Sequence, residues 1–231
     1  MTPLHRLGPG LATLEYPLRM LGLTLGRRVT VLEGAPGRWV VHSTAPFTTE
    51  DVTAIRELGE PVALADCTVL HDTYAKEGRT AFAGIPYFAP GPLPRRKWGA
   101  DARPLSALAE QTAPHLQWIR LEGLRSSLLE EWAVFQPASR TLVVCDLLLN
   151  LKHAQGWTRW SLRHLAGVRE WPAIDRPFRL AVRDRAAFHA SLRRLGELPF
   201  ERLIPAHGDI IEKDAPMHFR EACARAGYPL L

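Results

Sequence analysis

Three polar residues, far apart in the chain, each follow an apolar segment that the sequence predicts to be a buried strand. They are His71, Asp146 and His207. Loops at the carboxyl ends of strands in an α/β sheet converge on one crevice, so residues at such positions can meet in space. Two imidazoles and a carboxylate are a competent ligand set for Zn²⁺ with an open position for water, or for Fe²⁺ or Mn²⁺. The sequence therefore predicts a site for one divalent metal ion.

Each of these residues also has a structural interpretation. His71 can cap the turn that follows it, and Asp146 can accept backbone N–H bonds that hold a strand end. His207 can be a neutral core histidine that is hydrogen-bonded to Asp209. A fourth candidate, His42, lies in a predicted strand, where we interpret it as a half-buried side chain rather than a ligand.

The elements that must position these residues follow from the hydrophobic pattern. Helical spacing predicts one helix capped by Thr48 or Thr49 and ended by Gly59, another capped by Asp184, and a terminal helix over residues 214–226. Two β-rich runs joined by a Gly/Pro turn predict a hairpin. The predicted strands are 27–34, 38–46, 61–69, a short one within 80–88, 142–145 and 200–204. Strands first and βα units later indicate an α/β sandwich.

Length and composition fit one domain over residues 1–231. Hydrophobic residues make up 46% of the chain and charged residues 23%, which is ordinary for a protein that can bury a core. We expect residues 1–26 to be an N-terminal extension and residues 214–231 to hold the C-terminal helix. The stretch 90–104, rich in Pro, Gly and Arg, is expected to be a surface or lid loop.

Charge and cysteine usage narrow the class of partner. The net charge is +5 and the sequence pI about 9.4, but the arginines are scattered and no DNA-reading helix or aromatic–basic motif occurs. We therefore do not expect nucleic acid binding. Three cysteines without CxxC spacing indicate buried thiols and a cytoplasmic location. No signal peptide is recognisable and no apolar run approaches the roughly 20 residues of a membrane span, so we expect no membrane partner.

Four segments of the chain resemble the metallo-β-lactamase superfamily over residues 28–212: RRVTVLEG, VVHSTAP, SRTLVVCDLLLN and PAHGD. More narrowly, the chain is similar to an uncharacterised family of metallo-β-lactamase-like proteins known only as a domain of unknown function. The resemblance implies a four-layer αββα sandwich. In the superfamily a strand leads into an HxHxDH motif, a later strand ends in a metal-bridging Asp, and a near-terminal strand ends in the last His. By that likeness Asp146 matches the bridging Asp and His207 the last His.

The HxHxDH motif is where this sequence departs from the superfamily. When the last position of the motif is aligned on His71, its other ligand positions hold Asp66, Thr68 and Leu70. The intermediate His, expected in the loop before the Asp146 strand, has no counterpart either. The resemblance thus implies a first metal site without its imidazoles and a second site that keeps three ligands.

Residues near this partial site could occupy the positions of the missing ligands or serve as a base. Gln136 and Ser139 occupy the region expected for the intermediate His. Asp72 is a candidate to replace the missing carboxylate from one position further along the chain, and Asp72 or Asp209 is a candidate base or orienting group. Ser139 lacks a GxSxG context, so a nucleophile elbow is not supported.

Three functions follow, of which the third, a basic nucleic-acid-binding enzyme or scaffold, would need the arginines on one face. The first is a hydrolase with one metal ion, for which ester, thioester, lactone and phosphodiester substrates are all open. The second is a non-catalytic descendant of the fold that binds a small molecule or a partner protein, which the lost ligands favour. The tryptophans Trp157, Trp160 and Trp171 are expected to pack a core or a lid, with an apolar pocket as the alternative.

Overall fold

The computed structural model describes residues 3–91, 101–125 and 129–230, in which two mixed β-sheets pack face to face. The strands are β1 (His5–Gly8), β2 (Leu11–Tyr16), β3 (Arg19–Met20), β4 (Leu23–Thr24), β5 (Arg27–Ala35), β6 (Arg38–His42), β7 (Glu60–Ala65), β8 (Tyr87–Ala89), β9 (Arg103–Pro104), β10 (Gln117–Arg120), β11 (Trp132–Gln136), β12 (Thr141–Val144) and β13 (Arg202–Pro205). The helices are α1 (Thr49–Arg56), α2 (Ala75–Ala81), α3 (Leu105–Thr112), α4 (Gly156–His164), α5 (Arg176–Leu180), α6 (Arg185–Gly196) and α7 (Ala215–Arg225), with a 3₁₀ helix at Val69–Tyr74.

The order of strands explains how distant residues reach one edge of the molecule. Within the described residues, the larger sheet runs β1-β2-β5-β6-β7-β8-β9 and the smaller runs β10-β11-β12-β13, while β3 and β4 form a separate hairpin. Strands β6 to β9 are parallel to one another, and so are β12 and β13. Parallel strands end on the same side of their sheet, so the loops after β7, β12 and β13 are the ones that can build a site together.

Three apolar layers hold the sheets and helices together. Side chains of both sheets meet in the central layer, where Val40 and Ala65 of the larger sheet share a cluster with Val143 and Ile204 of the smaller one. Helices α1 and α2 cover the outer face of the larger sheet, and helices α6 and α7 cover the outer face of the smaller sheet. The result is the predicted sandwich of two sheets between helical layers, because each sheet has apolar side chains on both faces.

Most of the predicted elements are present, with some corrections. The hairpin of β5 and β6, the strands β7, β12 and β13, and the helices α1, α6 and α7 lie where the pattern predicts them. Thr48 is the N-cap of α1, and its side chain and that of Asp51 form a reciprocal capping box. The strand predicted within residues 80–88 is reduced to β8, because α2 continues to Ala81. Residues 92–100, most of the predicted lid, lie outside the described residues.

The N-terminal segment differs more from the prediction. Residues 1–26, expected to be an extension, contribute strands β1 and β2 to the larger sheet and form the β3–β4 hairpin. Strand β2 alternates poorly because both of its faces are covered: Leu11 packs between the sheets, whereas Ala12 and Leu14 pack in the outer layer. None of the helices in the described part of the chain combines the length and the apolar character of a membrane span.

Candidate metal centre

Three loops bring His71, Asp146 and His207 to one edge of the two sheets. His71 lies in the 3₁₀ helix that begins four residues after β7, and Asp146 comes two residues after β12. His207 comes two residues after β13, the parallel neighbour of β12. Gly208, which follows, is required for this approach: its φ is +93°, and a Cβ there would lie 2.1 Å from the Asn150 carbonyl oxygen.

The predicted ligands converge. The Nε2 atom of His207 lies 3.3 Å from Oδ1 of Asp146, and the Nε2 atom of His71 lies 3.6 Å from the same oxygen. The two imidazole rings meet edge to face, with centroids 5.4 Å apart. One ligand atom from each residue lies within 4.8 Å of the others. Ligands bound at about 2.0–2.2 Å in a tetrahedron are separated by about 3.3–3.6 Å, so the geometry suits an ion such as Zn²⁺.

Two polar atoms of this cluster lack hydrogen-bond partners within the protein. The Nε2 atom of His71 and the Oδ2 atom of Asp146 are buried and have no hydrogen-bond partner. Leaving two buried polar atoms unsatisfied costs about 1–3 kcal/mol each. A divalent cation bound by this imidazole and this carboxylate would provide the missing partners. The donor set therefore fits a metal ion.

Comparison with solved structures decides the fold. The chain aligns with the structure of TMB-1 at a TM-score of 0.63 and 15% sequence identity over 97% of each chain. It aligns with DIM-1 metallo-β-lactamase at a TM-score of 0.58 and 15% identity, covering 96% of this chain and 97% of that one. The fold is that of the metallo-β-lactamases.

A third solved structure shares the fold, whereas sequence comparison finds no relative. A metallo-β-lactamase from Pontibacter korlensis aligns at a TM-score of 0.57 and 12% identity over 96% of this chain and 98% of that one. No family model and no curated protein sequence matches the chain. At these identities the likeness concerns the metallo-β-lactamase fold alone, and the narrower resemblance to a domain of unknown function stays a prediction.

Backbone and hydroxyl groups orient both imidazoles. The Nδ1 atom of His207 lies 2.7 Å from the Gly26 carbonyl oxygen, so Nδ1 carries the proton and Nε2 presents its lone pair to the site. The Nδ1 atom of His71 lies 3.3 Å from the Ser43 hydroxyl. Ser43 has a φ of +81°, a left-handed conformation that is rare for serine and typical of positions where the surrounding structure imposes strain.

Glu131 holds the loop that carries Asp146, and the sequence analysis did not identify it. Its fully buried carboxylate accepts hydrogen bonds from the backbone N–H groups of Cys145, Asp146 and Leu147 at 2.9–3.1 Å. Burial raises the pKa of Glu131 well above its ordinary value, the neighbouring Asp146 raises it further, and the three N–H groups oppose both effects. A glutamate just before a strand gives no local sign of this role.

Burial and nearby charges set the protonation of the ligands. Burial raises the pKa of the Asp146 carboxyl, but the imidazoles of His71 and His207 outweigh it and hold that pKa well below its ordinary value. Burial lowers the pKa of the His71 imidazole, and the Arg27 guanidinium lowers it further. An ionised carboxylate and a neutral imidazole are the forms in which these groups bind metals.

The positions that match the lost ligands have structural roles instead. Asp66 is fully buried, and its carboxylate accepts hydrogen bonds from the Thr44 N–H at 2.8 Å, the Thr44 hydroxyl at 2.7 Å and the Tyr87 hydroxyl at 2.8 Å. It also forms a salt bridge with Arg27 at 3.1 Å. The Thr68 hydroxyl accepts from the Leu70 N–H at the start of the 3₁₀ helix. These oxygens are therefore already engaged within the protein.

Gln136 ends β11 and Ser139 lies in the loop before β12, which is the region expected for the intermediate His, but this loop is not beside the three predicted ligands. Strand β11 runs antiparallel to β12 and pairs Gln136 with Thr141, at the opposite end of β12 from Asp146. The Gln136 amide donates to the Gly10 carbonyl oxygen and accepts from the Ser139 hydroxyl. Because the two strands are antiparallel, the start of β11, after Glu131, lies beside Asp146.

Asp72 and Asp209 lie outside the three-residue cluster but near it. Asp72 follows His71 in the same 3₁₀ helix; burial and Asp66 raise the pKa of Tyr87, and Asp72 adds to that rise. The Asp209 carboxylate lies 3.5 Å from the His153 imidazole and 3.6 Å from the Lys152 ammonium group. Neither is one of the residues whose ligand atoms come within 4.8 Å of one another in the described part of the chain.

A cleft of about 480 Å³ opens beside His207. Its walls include Gly26, Arg28, Gln155, Thr158, Gly208 and Asp209. His207 is connected to it through its neighbour Gly208 and through the hydrogen bond to Gly26, although none of the three predicted ligands lines it. The cleft is thus adjacent to the candidate metal centre and large enough for a small molecule.

His42 is a buried structural histidine. It is 1% exposed, more buried than predicted, and its Nε2 atom lies 3.9 Å from the Cys145 thiol sulfur. Burial lowers its pKa to about 3, with further contributions from His71 and Arg27. His42 does not join the three predicted ligands in the cluster found among the described residues.

Proposed function

We propose that this protein is a hydrolase with one catalytic divalent ion, Zn²⁺ or alternatively Fe²⁺ or Mn²⁺, held by His71, Asp146 and His207. The observation that carries the proposal is the convergence of one ligand atom from each of the three residues within 4.8 Å, where Nε2 of His71 and Oδ2 of Asp146 are buried without hydrogen-bond partners. Three protein ligands leave an open position, which is the pattern of catalytic rather than structural zinc sites.

A divalent ion at such a site supplies Lewis acidity and lowers the pKa of water. The chain's own groups position the reactants. Gly26 and Ser43 fix the orientation of the two imidazoles, and Glu131 fixes the loop of Asp146. The cleft beside His207 would bind the substrate, with Arg28 as a buried cation in its wall.

Of the two carboxylates predicted as a base, Asp209 is the better placed. It lines the cleft, whereas Asp72 does not. Its neighbours Lys152 and His153 are exposed and can exchange protons with solvent. We therefore propose Asp209 as the group that accepts a proton or orients water, and we assign Asp72 no step.

The rate of this hydrolase should be low on generic substrates. The positions that match the first metal site bind no ion in this proposal, because Asp66 and Thr68 are engaged within the protein. Losing one of two Lewis acids removes several kcal/mol of transition-state stabilisation. Since about 1.36 kcal/mol is tenfold in rate, turnover should fall by several orders of magnitude below that of ordinary enzymes.

A substrate screen tests this function. Purified protein with Zn²⁺, Mn²⁺ or Fe²⁺ would be assayed on an ester, a thioester, a lactone, a β-lactam and a phosphodiester, beside the variants His207→Ala and His115→Ala. His115 is exposed and serves as the matched control. Slow metal-dependent turnover that is lost in His207→Ala and kept in His115→Ala supports the proposal. Turnover at ordinary enzyme rates would contradict the partial site.

A second candidate is a non-catalytic protein of this fold that binds a small molecule in the cleft. The hydrogen bonds of Asp66 favour this candidate, because the residue that matches a metal ligand of the superfamily here stabilises the fold instead. This candidate predicts no turnover with any metal and binding of a ligand whose affinity is unchanged in His207→Ala.

A further inference from the structure

One surface of the molecule combines exposed apolar side chains with positive charge, and no function has been assigned to it here. It is formed by the tip of the β3–β4 hairpin and by the outer side of α4, and we call it the tip surface. Its apolar members are Met20, Leu21, Trp157 and Trp160, which are 45%, 92%, 55% and 47% exposed. Contiguous exposed apolar groups of this kind mark sites of interaction.

The hairpin tip presents a leucine at a local conformational cost. Leu21 and Gly22 form the two-residue turn between β3 and β4, and both have positive φ values, +52° and +78°. Such turns favour Asn-Gly, because the left-handed conformation is unfavourable for residues such as leucine, whose side chain crowds the backbone there. Leu21 also gains nothing from burial within the described chain. Its conformation and exposure together are explained if another apolar phase covers it.

The hairpin and α4 form a single surface. The Thr24 N–H donates to the Thr158 hydroxyl at 2.9 Å. A Cβ built on Gly22 would lie 3.4 Å from the indole nitrogen of Trp157, so the turn rests against this ring. Trp157 in turn stacks on Trp160, with ring centroids 5.0 Å apart and an angle of 17° between the planes. The apolar groups are therefore held in place by the fold.

The two segments that supply this surface carry only positive charge. Residues 16–32 and residues 147–169, the two segments that supply the surface, contain no Asp or Glu. Arg19 at the hairpin and Arg159 and Arg163 on α4 are exposed beside the apolar groups. Arg159 and Arg163 are four residues apart on the helix, so they form a basic stripe next to the Trp157–Trp160 stripe. The complement of this pattern is a surface that is both apolar and negatively charged.

We propose that the tip surface docks peripherally onto an anionic lipid bilayer. Met20 and Leu21 would enter the interface, the two tryptophans would lie at the headgroup level where indoles are enriched, and the arginines would contact lipid phosphates. A nucleic acid fits less well, because Trp157 and Trp160 each use one ring face on the other and a leucine tip offers no stacking surface.

Peripheral docking needs no segment that spans a bilayer, so it is compatible with the absence of a membrane-spanning helix among the described residues, and it differs from the expectation of no membrane partner. It is independent of the metal, since none of the three candidate ligands belongs to the tip surface. The same two elements also line the cleft beside His207, through Thr24 and Thr158. Docking would place that cleft close to the lipid surface.

The test is co-sedimentation of the full chain, in the presence of a chelator, with vesicles of phosphatidylcholine alone or mixed with phosphatidylglycerol. The protein should bind the mixed vesicles at low salt, lose binding as salt rises, and bind neutral vesicles weakly. Leu21→Asn should weaken partitioning by about tenfold, because one buried leucine contributes at least that much. Arg159→Gln and Arg163→Gln should each weaken it about fivefold.

Leu21→Asn also separates binding from folding. Asn-Gly is the preferred sequence for this turn, so the variant should melt at the same temperature as the parent protein or higher while binding more weakly. Met217→Asn, which changes an exposed methionine on α7, is the matched control and should bind like the parent. Three results would overturn the proposal: no binding of the parent to anionic vesicles, equal loss in both variants, or a Leu21-dependent self-association or oligonucleotide binding without lipid binding.

Discussion

Two groups of polar side chains near the end of β7 differ in whether their atoms have partners. In the cluster of His71, Asp146 and His207, two buried ligand atoms have none. In the neighbouring group around Asp66, both carboxylate oxygens accept hydrogen bonds, and Arg27 neutralises the charge. The Nε atom of Arg27 is unpartnered there, but a guanidinium has only donors and cannot bind a cation.

The difference separates a structural use of buried polar residues from a ligand-binding one. Buried polar groups in folded proteins are almost always satisfied, so the exceptions require an explanation. The burial of the Asp66 group is explained by the hydrogen bonds and the salt bridge that it makes within the chain. The cluster of His71, Asp146 and His207 does not, and a bound cation is the simplest partner for an imidazole nitrogen and a carboxylate oxygen together.

The comparison predicts opposite consequences for two aspartate substitutions. Asp66→Ala should lower the free energy of unfolding by about 3–5 kcal/mol, because it leaves the buried Arg27 charge unpaired. Metal bound per folded chain should not change. Asp146→Ala should cost less stability than Asp66→Ala in the metal-free protein, since only Oδ1 of Asp146 contacts the two imidazoles and Oδ2 has no partner. Urea denaturation measures both.

A double variant serves as the control for this prediction. Arg27→Met with Asp66→Leu removes both charges and should recover a large part of the lost stability, as expected when a buried pair is replaced by apolar groups. A small effect of Asp66→Ala, or a large one of Asp146→Ala in metal-free protein, would remove the distinction between the two groups.

Glu131 combines the structural and the ligand-binding use of a buried polar residue. Its carboxylate makes hydrogen bonds within the protein, and these bonds position the candidate ligand Asp146. Glu131→Gln replaces an acceptor with an NH₂ group that faces three backbone N–H groups, so the loop of Asp146 should shift. Metal affinity should fall about 10–100-fold, as is typical when a group that orients a ligand is changed. Competition with a chelator measures it.

The neighbouring residue provides a matched control for Glu131. Glu130 is also buried, but its carboxylate interacts with Trp132 and Arg120 rather than with the Asp146 loop. Glu130→Gln should therefore keep the parent's metal affinity. Equal affinities for the two variants would show that Glu131 does not position Asp146.

His42 supplies a buried imidazole outside the cluster, and its effect should appear in the pH dependence of stability. Its pKa is lowered to about 3, first by burial and then by His71 and Arg27. Below its ordinary pKa of about 6.5 the unfolded chain takes up a proton that the folded chain does not, so acid favours unfolding. This group should cost about 1.4 kcal/mol per pH unit between those two values and nothing above them.

Replacing the imidazole tests this slope. In metal-free protein, His42→Gln should flatten the fall in unfolding free energy on acidification, measured by urea denaturation at several pH values. An unchanged slope would mean that His42 is protonated normally in the folded protein.

The sequence predicted the cluster because its signal is local. An apolar run followed by a polar residue marks each of His71, Asp146 and His207, and the parallel arrangement of strands then brings the three together. The same argument predicted the sandwich, since runs that are apolar on both faces must be covered on both sides. The resemblance to the metallo-β-lactamase superfamily led to the same fold.

What the sequence could not predict depends on contacts between distant residues. Arg27 and Asp66 are 39 positions apart, and nothing near either one indicates the other. Glu131 was missed for the same reason. The sequence also gives no sign that the loop of Gln136 and Ser139 lies at the far end of β12 from Asp146, which follows from the antiparallel pairing of β11 with β12. The N-terminal strands were not predicted because β2 is buried on both faces and therefore lacks the alternation of apolar and polar residues that marks a strand.

Metal content per chain tests the central claim most directly. The parent protein, Asp146→Ala, and the control Asp101→Ala, which changes an exposed aspartate, would be loaded with Zn²⁺, dialysed, and analysed by elemental analysis. The account predicts one bound ion per chain in the parent and in Asp101→Ala, and none in Asp146→Ala, because Asp146, unlike Asp101, contributes a ligand atom to the cluster. No stoichiometric metal in the parent, or unchanged metal in Asp146→Ala, would contradict it.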